Sequence, residues 1–365
     1  VLDLCKEQLQ HDVVAMDRAG RFPEHAWHNC AKFGVLGWPV PKKHGGSGYS
    51  VTTTACLMEA ISYGCEDNGL VFALGTQLWG IETALLHFGS NAQIARYVPG
   101  MIRGELIGAF AITEEGSGSD AYGLDSTAVA DGNDFVLNGE KVLITLAPIA
   151  DFAVVFAKTK PEVGRWGISA FLVDTDAPGF TVHPADPMMG LRTVPLGRVT
   201  LNDCRVPADA LLGKPGAGAS IFGYSQGWET LIMAPQLGAM QRILEQCIHA
   251  AKTRNRANIA IGKHQAVSHR IADMKLRLET SRLLVYKTVH MLEHGKSASM
   301  ESALAKTYLS ESFVKSSMDA IAIFGGEGYK TEAGIERDLR DAIGATIYGG
   351  TVDVQRNIVA GLLGL

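Results

Sequence analysis

Residues 111–120 read Ala-Ile-Thr-Glu-Glu-Gly-Ser-Gly-Ser-Asp and carry the clearest chemical information in the chain. They follow an apolar run that predicts a β-strand, and their glycines and serines predict an exposed loop. The backbone N–H groups of such a loop, with the hydroxyls of Thr113 and Ser119, suit phosphate oxygens or the polar edge of a planar cofactor. The alternative is an ordinary polar turn, and the segment taken alone favours that simpler interpretation.

Working outward from this loop, short apolar runs alternate with turn residues over about 110 residues, which predicts an all-β module. The runs are Leu106–Ile112, Thr127–Ala130, Phe135–Leu137, Ala153–Ala157, Ile168–Val173 and Arg198–Leu201. The dipeptides Asp131-Gly132, Asn138-Gly139 and Pro178-Gly179 predict turns between them. Strands this short do not form βαβ units, and the chain has no GxGxxG motif, so a Rossmann dinucleotide site is excluded.

Helical patterns flank the β module on both sides. The N-terminal patterns include residues 52–62 and 78–88, and a Gly/Pro-rich connector at 213–220 leads into the C-terminal ones. There, an apolar stripe at helical spacing extends from Val267 to Leu292, and a further helix fits Glu301–Phe324 before GGEG stops it. The predicted fold class is therefore α+β. The predicted domains are an N-terminal helical domain (1–105), a central β domain (106–216) and a C-terminal helical bundle (217–365).

Composition excludes several function classes. The 365 residues are 47% hydrophobic and 19% charged, which supports a large core and disfavours disorder. A net charge of −5 and a pI near 6.1 disfavour nonspecific nucleic-acid binding and a basic membrane surface. No uninterrupted apolar run reaches the ~18 residues of a membrane span, and the N-terminus has no signal pattern. The six cysteines form no CxxC, so we expect reduced thiols and a cytoplasmic protein.

Two weaker motifs point to other chemistry. His264 and His269 are five residues apart, which does not place them on one helix face, and there is no HExxH, so we expect no metal site. Residues 223–227 match GxSxG, but a hydrolase needs a buried strand before the serine, and the preceding segment is typical of a loop. A hydrolase is therefore disfavoured.

Beside this bottom-up interpretation, the order of several segments resembles the acyl-CoA dehydrogenase family across essentially the whole chain. The segments are AITEEGSGSD (111–120), LNGEKVLIT (137–145), GISAFLVDTDAPGF (167–180), MMGLRTVPLGRVTLNDCRVPADALLG (188–213), RNRANIAIGKHQAVSHRIADM (254–274), GGEGYKTEAGIERDLRDA (325–342) and IYGGTVDVQRNIVA (347–360). The resemblance implies a helical, β and helical-bundle fold that binds FAD between its β domain and its C-terminal bundle, in a homodimer or homotetramer. It also implies that a carboxylate removes the α proton of an acyl thioester while the β hydrogen leaves as hydride to the flavin.

The resemblance assigns cofactor-binding positions residue by residue. They are Phe110, Ile112, Thr113, Ser119, Leu143, Thr145, Arg254, Gln265, Gly325, Gly326, Thr351 and Asp353. Arg254 matches an arginine that reaches the FAD pyrophosphate of the neighbouring subunit, a role that suits a guanidinium. Leu143 replaces the usual tryptophan, Ala257 and Asn258 replace Phe-Gly, and Ala322 replaces a common glutamine. These departures predict a reshaped or weaker adenine pocket.

The most consequential departure is Gly349, which stands where many relatives have the catalytic glutamate. Other relatives place that base on the first long helix after the β domain, where this chain has Glu229. One alignment frame puts Glu229 on the alternate base and the other misses it by one residue, about 100° around a helix. A one-residue deletion near Pro235 reconciles the frames. We therefore expect Glu229 to be the base, an ordinary solvated helix glutamate being the simpler alternative.

The substrate-binding positions that the resemblance implies are Ser119, Trp228, Tyr348 and Gly349. Trp228 next to the base favours short, branched or cyclic acyl groups. The predicted function is FAD-dependent α,β-dehydrogenation of an acyl thioester carried by CoA or by a carrier protein, as in prolyl carrier-protein dehydrogenases. Electron-transfer flavoprotein or O₂ is the expected acceptor. A flavin monooxygenase or oxidase on the same fold, and a non-catalytic subunit, are the alternatives.

Overall fold

The computed structural model describes residues 1–365, with every side chain except that of Glu229. The N-terminal part is helical. It consists of α1 (Leu2–Gln8), α2 (Val13–Ala19), α3 (Glu24–Lys32), α4 (Val51–Gly64), α5 (Asn68–Gly75), a π-helical turn (Thr76–Glu82), α6 (Thr83–Phe88) and α7 (Asn91–Ile102). Ser50, Asp67 and Ser90 begin α4, α5 and α7, and the side chain of each accepts a hydrogen bond from a first-turn N–H.

The continuous helical stretch 68–88 is the central element of this part. By length and mean hydropathy it meets the requirement of a membrane span, although it contains no uninterrupted apolar run of that length. However, 78% of its most apolar window is buried inside the protein, so its side chains are used in the core. A helix that is apolar on all sides is expected in such a position.

The central part is an eight-stranded, mostly antiparallel sheet. Its strands are β1 (Gly108–Ala111), β2 (Thr127–Asp131), β3 (Asp134–Thr145), β4 (Phe152–Lys158), β5 (Ile168–Asp174), β6 (Phe180–Ala185), β7 (Leu196–Pro207) and β8 (Leu211–Leu212). The strand order is β6-β7-β3-β2-β4-β5-β8, and β1 pairs with β4 in parallel. The predicted all-β module is therefore present, and the α+β fold class is confirmed.

One predicted turn in this module is wrong. Asn138-Gly139 does not end a strand but lies inside the twelve-residue β3. Gly139 has a φ of 148° at a register shift against β7, and a Cβ there would lie 2.1 Å from the Ser126 hydroxyl oxygen. Asn138 accepts a hydrogen bond from the Asp203 N–H across the same shift. The dipeptide thus forms a β-bulge, which uses the same residue types as a turn.

The C-terminal part is a helical bundle. It contains α8 (Gly218–Gly227), α9 (Glu229–Met233), α10 (Gln236–Thr253), the hairpin strands β9 (Asn255–Arg256) and β10 (Ile259–Ala260), α11 (Gln265–Glu293), α12 (Ser299–Phe324), α13 (Ile335–Ala345) and α14 (Val352–Leu362). The predicted stripe 267–292 lies within α11, and the predicted helix 301–324 lies within α12. Helix gives way to strand between residues 102 and 108, and strand to helix between 212 and 218. The domain limits 1–105, 106–216 and 217–365 remain predictions.

The GxSxG match lies inside α8, so Ser225 does not occupy the strand-to-helix turn that a hydrolase nucleophile requires. The motif match is thus a coincidence of helix composition. It contributes no support for a hydrolase.

A buried polar network joins the three parts of the chain. Asp67 accepts hydrogen bonds from Leu70 N at 3.0 Å and Thr193 Oγ1 at 2.5 Å. Asp341 of α13 accepts from Leu191 N at 2.6 Å and from Asn68 Nδ2 at 2.9 Å. Burial raises the pKa of Asp341 to about 7, although these two hydrogen bonds act against the rise. The network fixes the 191–193 loop of the β module against both helical parts.

We predict that Asp341 makes the protein more stable at acid pH. The folded protein keeps a proton on this carboxyl that the unfolded chain releases between about pH 4 and 7, so the free energy of unfolding falls as pH rises through that window. Asp341→Asn should remove this fall, which amounts to on the order of a few kcal/mol in the free energy of unfolding across the window. Denaturant midpoints at pH 4.5 and 7.5 measure the effect, with the exposed Asp3→Asn as control. An unchanged slope in Asp341→Asn would contradict the assignment.

Candidate active site

A buried ion pair lies beneath the 111–120 loop. Lys141 of β3 is fully buried, and its Nζ lies 2.7 Å from Glu114 Oε1 and 3.3 Å from the Ile112 carbonyl oxygen. Glu114 also accepts hydrogen bonds from Ser126 N at 3.0 Å, from the Ser126 hydroxyl at 2.5 Å and from Asp125 N. These contacts tie both ends of the loop to the sheet and hold its hydroxyls and N–H groups in place.

The pair is stabilised mutually. Burial alone would raise the pKa of Glu114, but the hydrogen bonds from Lys141, Ser126 and Asp125 outweigh it and hold that pKa below its usual value. Burial lowers the pKa of Lys141 to about 8, against the opposing effect of Glu114. Sequence reasoning did not assign either residue. The available signal was a lysine directly before the apolar run 142–144, since a charge that is drawn into a core needs a partner.

Leu143 lies at the surface that this pair supports. A register shift between Lys141 and Ile144 turns it outward, with a φ of 56° and 52% of its surface exposed. Thr113, half-buried, lies beside it, because the Thr113 carbonyl oxygen accepts a hydrogen bond from Val142 N at 2.9 Å. An exposed leucine in a left-handed conformation is strained, and such strain is typical of ligand sites.

The remaining predicted positions of the β module divide between this surface and the interior. Thr145 is half-buried, Ser119 is exposed, and a Cβ on the neighbouring Gly118 would meet no atom within 4 Å. Ile112 is buried. Phe110 packs in an internal aromatic cluster, with its ring centroid 4.9 Å from that of Phe156. Leu143 thus offers an apolar platform with Thr113 beside it, and the 111–120 loop offers an exposed hydroxyl and open backbone, a set of groups that fits a planar ring with a polar edge.

A second group of predicted cofactor residues lies at one end of the bundle. Arg254 Nη1 donates a hydrogen bond to the Phe324 carbonyl oxygen at 2.7 Å, directly before Gly325 and Gly326. Gly325 has a φ of 63°, and a Cβ at either glycine would meet no atom within 4 Å. Gln265 is exposed at the start of α11. A guanidinium beside open, glycine-lined backbone suits a phosphate.

In this part of the fold, Ala257 and Asn258 form the turn between β9 and β10 with φ values of 49° and 64°. The Phe-Gly pair expected at these positions is thus replaced by two residues that both take the left-handed conformation. Among the residues that the structure describes, no hydrogen bond joins this end of the bundle to the Leu143 surface. That the two groups meet across a subunit boundary remains a prediction.

The loop 348–351 lacks an acid–base side chain at Gly349. Gly349 and Gly350 have φ values of 63° and 76°, a conformation that glycine adopts readily. The Gly349 carbonyl oxygen accepts a hydrogen bond from Gln355 Nε2 at 3.0 Å, and that of Gly350 accepts one from the buried Lys306. Thr351 caps α14. The loop is therefore firmly held, although it supplies no base.

Asp353 lies in the first turn of α14 with its side chain exposed. Its carboxylate lies 3.4 Å from Arg356, an ordinary surface ion pair. Its contact with the cofactor remains a prediction.

Two aromatic pairs join the 68–88 helix to the C-terminal part of the chain. The Tyr348 ring packs on Phe72 with centroids 4.4 Å apart, and its hydroxyl accepts a hydrogen bond from Gln236 Nε2 at 2.8 Å. The Trp228 ring stacks on Trp79 with centroids 5.7 Å apart and planes 4° from parallel. A cavity of about 20 Å³ lies beside Tyr348 and Phe72.

Trp228 separates α8 from α9, and Ala234 and Pro235 separate α9 from α10. The second interruption includes Pro235, near which a one-residue deletion would reconcile the two alignment frames. The side chain of Glu229 lies outside the described residues, so its role as the base remains a prediction.

Comparison with known proteins identifies the class. The N-terminal, middle and C-terminal domain models of acyl-CoA dehydrogenases match residues 1–105, 109–204 and 224–363. The chain therefore belongs to the acyl-CoA dehydrogenase family. This confirms the predicted fold, the oxidoreductase class, FAD as cofactor and an acyl thioester as the kind of substrate.

Particular relatives narrow the comparison. The chain is 40% identical to an L-prolyl-[peptidyl-carrier protein] dehydrogenase of Pseudomonas fluorescens, over 99% of this chain and 95% of that protein. It is similar to the crystal structure of the prolyl acyl carrier protein oxidase AnaB, with 39% identity and a TM-score of 0.98 over 100% of this chain and 97% of AnaB. It is also similar to PigA with FAD and proline, at 36% identity and a TM-score of 0.97 over 100% and 95% of the two chains.

The buried pair makes a sharp prediction. Glu114→Ala should lower the free energy of unfolding by ~3–5 kcal/mol and weaken FAD retention, because it leaves the buried Lys141 amine without its ion-pair partner. The double variant Glu114→Gln with Lys141→Met removes both charges and should recover most of the loss. Denaturant midpoints and flavin absorbance after gel filtration measure both effects. Equal losses in the single and double variants would show that the charge is not the cause.

Proposed function

We propose that this chain dehydrogenates a small cyclic acyl thioester, with an L-prolyl group on a phosphopantetheinyl carrier protein as the first candidate. The observation that carries the proposal is the Trp79–Trp228 stack, in which two large rings pack face to face directly before Glu229 and leave room there for a small acyl group. The names of the relatives support the same substrate class.

FAD would be held by the two groups of residues described above. Leu143 would contact the ring system, Thr113, Thr145 and Ser119 would hydrogen-bond its polar edge, and Arg254 would pair with the pyrophosphate. When bound, FAD supplies the acceptor for the hydride that leaves the β carbon. Because no hydrogen bond joins the two groups among the described residues, and Arg254 is expected to serve a neighbouring subunit, a homodimer or homotetramer is part of the proposal.

The base is the second element of the proposal. Gly349 has no group that takes a proton, so the α proton must go elsewhere. Glu229 begins α9 directly after Trp228, whose ring stacks on Trp79. The neighbouring Trp228, Leu231 and Ile232 are apolar, and an apolar setting raises a carboxyl pKa toward the range that a base requires.

The electron acceptor and location complete the proposal. Relatives are named both dehydrogenase and oxidase, so an electron-transfer flavoprotein and O₂ are the two acceptors to compare. The cysteines are all free thiols, and five of the six are buried, which supports a reducing, cytoplasmic setting.

The function is tested by anaerobic titration with matched thioesters. Prolyl, isobutyryl, butyryl and octanoyl groups, each on CoA and on a carrier protein, are added to the purified flavoprotein while its absorbance near ~450 nm is followed, since the flavin carries the redox change. We expect bleaching by the prolyl carrier-protein thioester. A flavoprotein that none of these thioesters bleaches would overturn the proposed function.

Glu229→Gln should abolish flavin reduction by the best thioester while FAD stays bound, because an amide cannot accept the α proton. The expected loss in the reduction rate is at least ~10²-fold. Glu7→Gln, an exposed glutamate of α1, is the matched control and should keep the wild-type rate. A Glu229→Gln rate within a few-fold of wild type would assign the base elsewhere.

We expect Trp228→Ala to accept longer acyl groups than the wild-type protein does. Removing one ring of the stack opens the space beside Trp79, so the ratio of kcat/KM for octanoyl to that for prolyl thioester should rise by at least ~10-fold, the scale of one or more methylenes in an apolar pocket. Tyr329→Ala removes an aromatic ring that is 83% exposed and should leave the ratio unchanged. If the ratio is unchanged in Trp228→Ala as well, the stack does not limit acyl length.

A further inference from the structure

Lys306 is a buried cation at the loop that lacks the common base. It lies on α12 with 1% of its surface exposed, and its Nζ donates a hydrogen bond to the Gly350 carbonyl oxygen. Gly350 directly follows Gly349, the position at which many relatives have the catalytic glutamate. Lysine is almost never fully buried unless it is paired, so an ammonium group in this position points to a carboxylate nearby.

The same face of α12 also contacts α9. Ser302 precedes Lys306 by one turn of this regular helix, so the two side chains lie on one face. The Ser302 hydroxyl oxygen lies 2.6 Å from the hydroxyl oxygen of Thr230, which is 0% exposed. Thr230 directly follows Glu229, the expected base. One face of α12 thus contacts both the segment that carries the expected base and the loop where many relatives carry theirs.

A small cavity shows that these three elements converge. The cavity of about 20 Å³ is lined by Ile232 of α9, Phe313 of α12 and Tyr348 of the loop, among others. The Tyr348 hydroxyl also accepts a hydrogen bond from Gln236 Nε2 at 2.8 Å, which ties the loop to the start of α10. The α9 segment, the α12 helix and the 348–351 loop therefore meet, and the hydrogen bond from Lys306 to Gly350 lies at this junction.

The described acidic side chains of α12, α13 and α14 have partners elsewhere. These are Glu301 with Lys287, Glu311 and Asp353 with Arg356, Asp319 with Arg270 and Arg277, Glu336 with Arg340, Asp338 with Arg242, and Asp341 with Asn68 and the Leu191 N–H. The α9 segment contributes one further carboxyl group, that of Glu229. Glu229 is thus the acid that the sequence supplies to the junction.

A base in an apolar setting benefits from a nearby cation. Apolar neighbours favour the neutral carboxyl group, whereas removal of the α proton requires the carboxylate. A positive charge within ~4–6 Å favours the carboxylate. A hydrogen bond between two charged groups also fixes their relative orientation. A buried lysine anchored to the loop can therefore supply both the charge and the direction.

We propose that Lys306 is the positioning residue that keeps the Glu229 carboxylate ionised and directed toward the α carbon of the substrate. This inference rests on the proposed function and extends it by naming the group that makes the alternate base position usable. The α C–H bond still breaks toward Glu229, which takes the proton while the electron pair stays on the α carbon. Lys306 keeps its own protons throughout.

The pH dependence of flavin reduction tests this role. Reduction by the prolyl carrier-protein thioester is measured between about pH 6 and 9 for wild type, Lys306→Met and Lys306→Arg. In Lys306→Met the acid limb of the rate profile should move to higher pH by about one unit or more, because the carboxylate has lost its cation. The loss of rate should therefore be about ten-fold on the acid limb and small near pH 9. Lys306→Arg keeps the charge, so its acid limb should stay in place even at a lower rate.

Other titrating groups are common to all of these proteins. The ring nitrogen of the thioester is the same in each experiment. Asp341, whose pKa burial raises to about 7, keeps its contacts with Asn68 and Leu191. Burial raises the pKa of Tyr348, so its hydroxyl stays neutral in this range. The difference between variants therefore isolates the effect of Lys306.

Equilibrium unfolding provides a second readout, which does not depend on activity. Lys306→Met should lower the denaturant midpoint, because it leaves the carboxylate without its cation, and adding Glu229→Gln should recover most of that loss. Lys315→Met replaces an exposed lysine of the same helix and should change neither the midpoint nor the pH profile. If Lys306→Met does not fold, Lys306→Gln serves for the same comparisons.

The outcomes separate this inference from the proposed function. An acid limb that stays in place in Lys306→Met, or losses in midpoint that simply add in the double variant, would overturn the role of Lys306 even if the prolyl thioester bleaches the flavin. A wild-type flavin that no thioester bleaches would instead overturn the proposed function, and the unfolding comparison would still test the pairing of Lys306 with Glu229.

Discussion

The burial of the 68–88 helix on all sides is the constraint on which the rest of the fold depends. Its first half, with Leu70, Leu74 and Trp79, packs into the core shared by the N-terminal helices and the C-terminal bundle. Its second half, with Ile81 and Leu85, packs into the core beneath the sheet. One helix thereby sets the distance between the bundle and the β module, and both aromatic pairs lie along it.

The β module meets a different physical demand, which is to present a flat surface through a loop without regular hydrogen bonding. A buried lysine and glutamate solve it, because four donors converge on Glu114 and hold the loop closed. The desolvation of two charges is costly, so this solution contributes geometry more than stability. The pair thereby holds the part of β3 that carries Leu143, which lies two residues after Lys141.

The class of fold and the order of its parts were predictable from the sequence, because hydrophobic periodicity changes sharply at both ends of the β module. The long helices α11 and α12 followed from their apolar spacing. Asn138-Gly139 was misassigned because a bulge and a turn require the same residues. The cofactor positions were predicted from the motif resemblance. Their division into two groups could not be predicted, since it depends on where distant helices end.

Tertiary contacts that leave no local pattern were also out of reach. The Trp79–Trp228 stack joins residues 149 positions apart, and no sequence pattern near either residue predicts the contact. Glu82 lay within an apolar helical pattern as an apparently ordinary exception. Its lack of a hydrogen-bond partner among the described residues is visible only in the three-dimensional structure.

The strained, exposed Leu143 has a consequence for the life of the protein in the cell. A leucine held at a φ of 56° with half of its surface in water is a local defect in the unliganded chain. A ligand that covers this surface binds only the folded chain, so by mass action it shifts the folding equilibrium toward the native state. A flavin bound at this surface would therefore be a folding partner as well as a redox group.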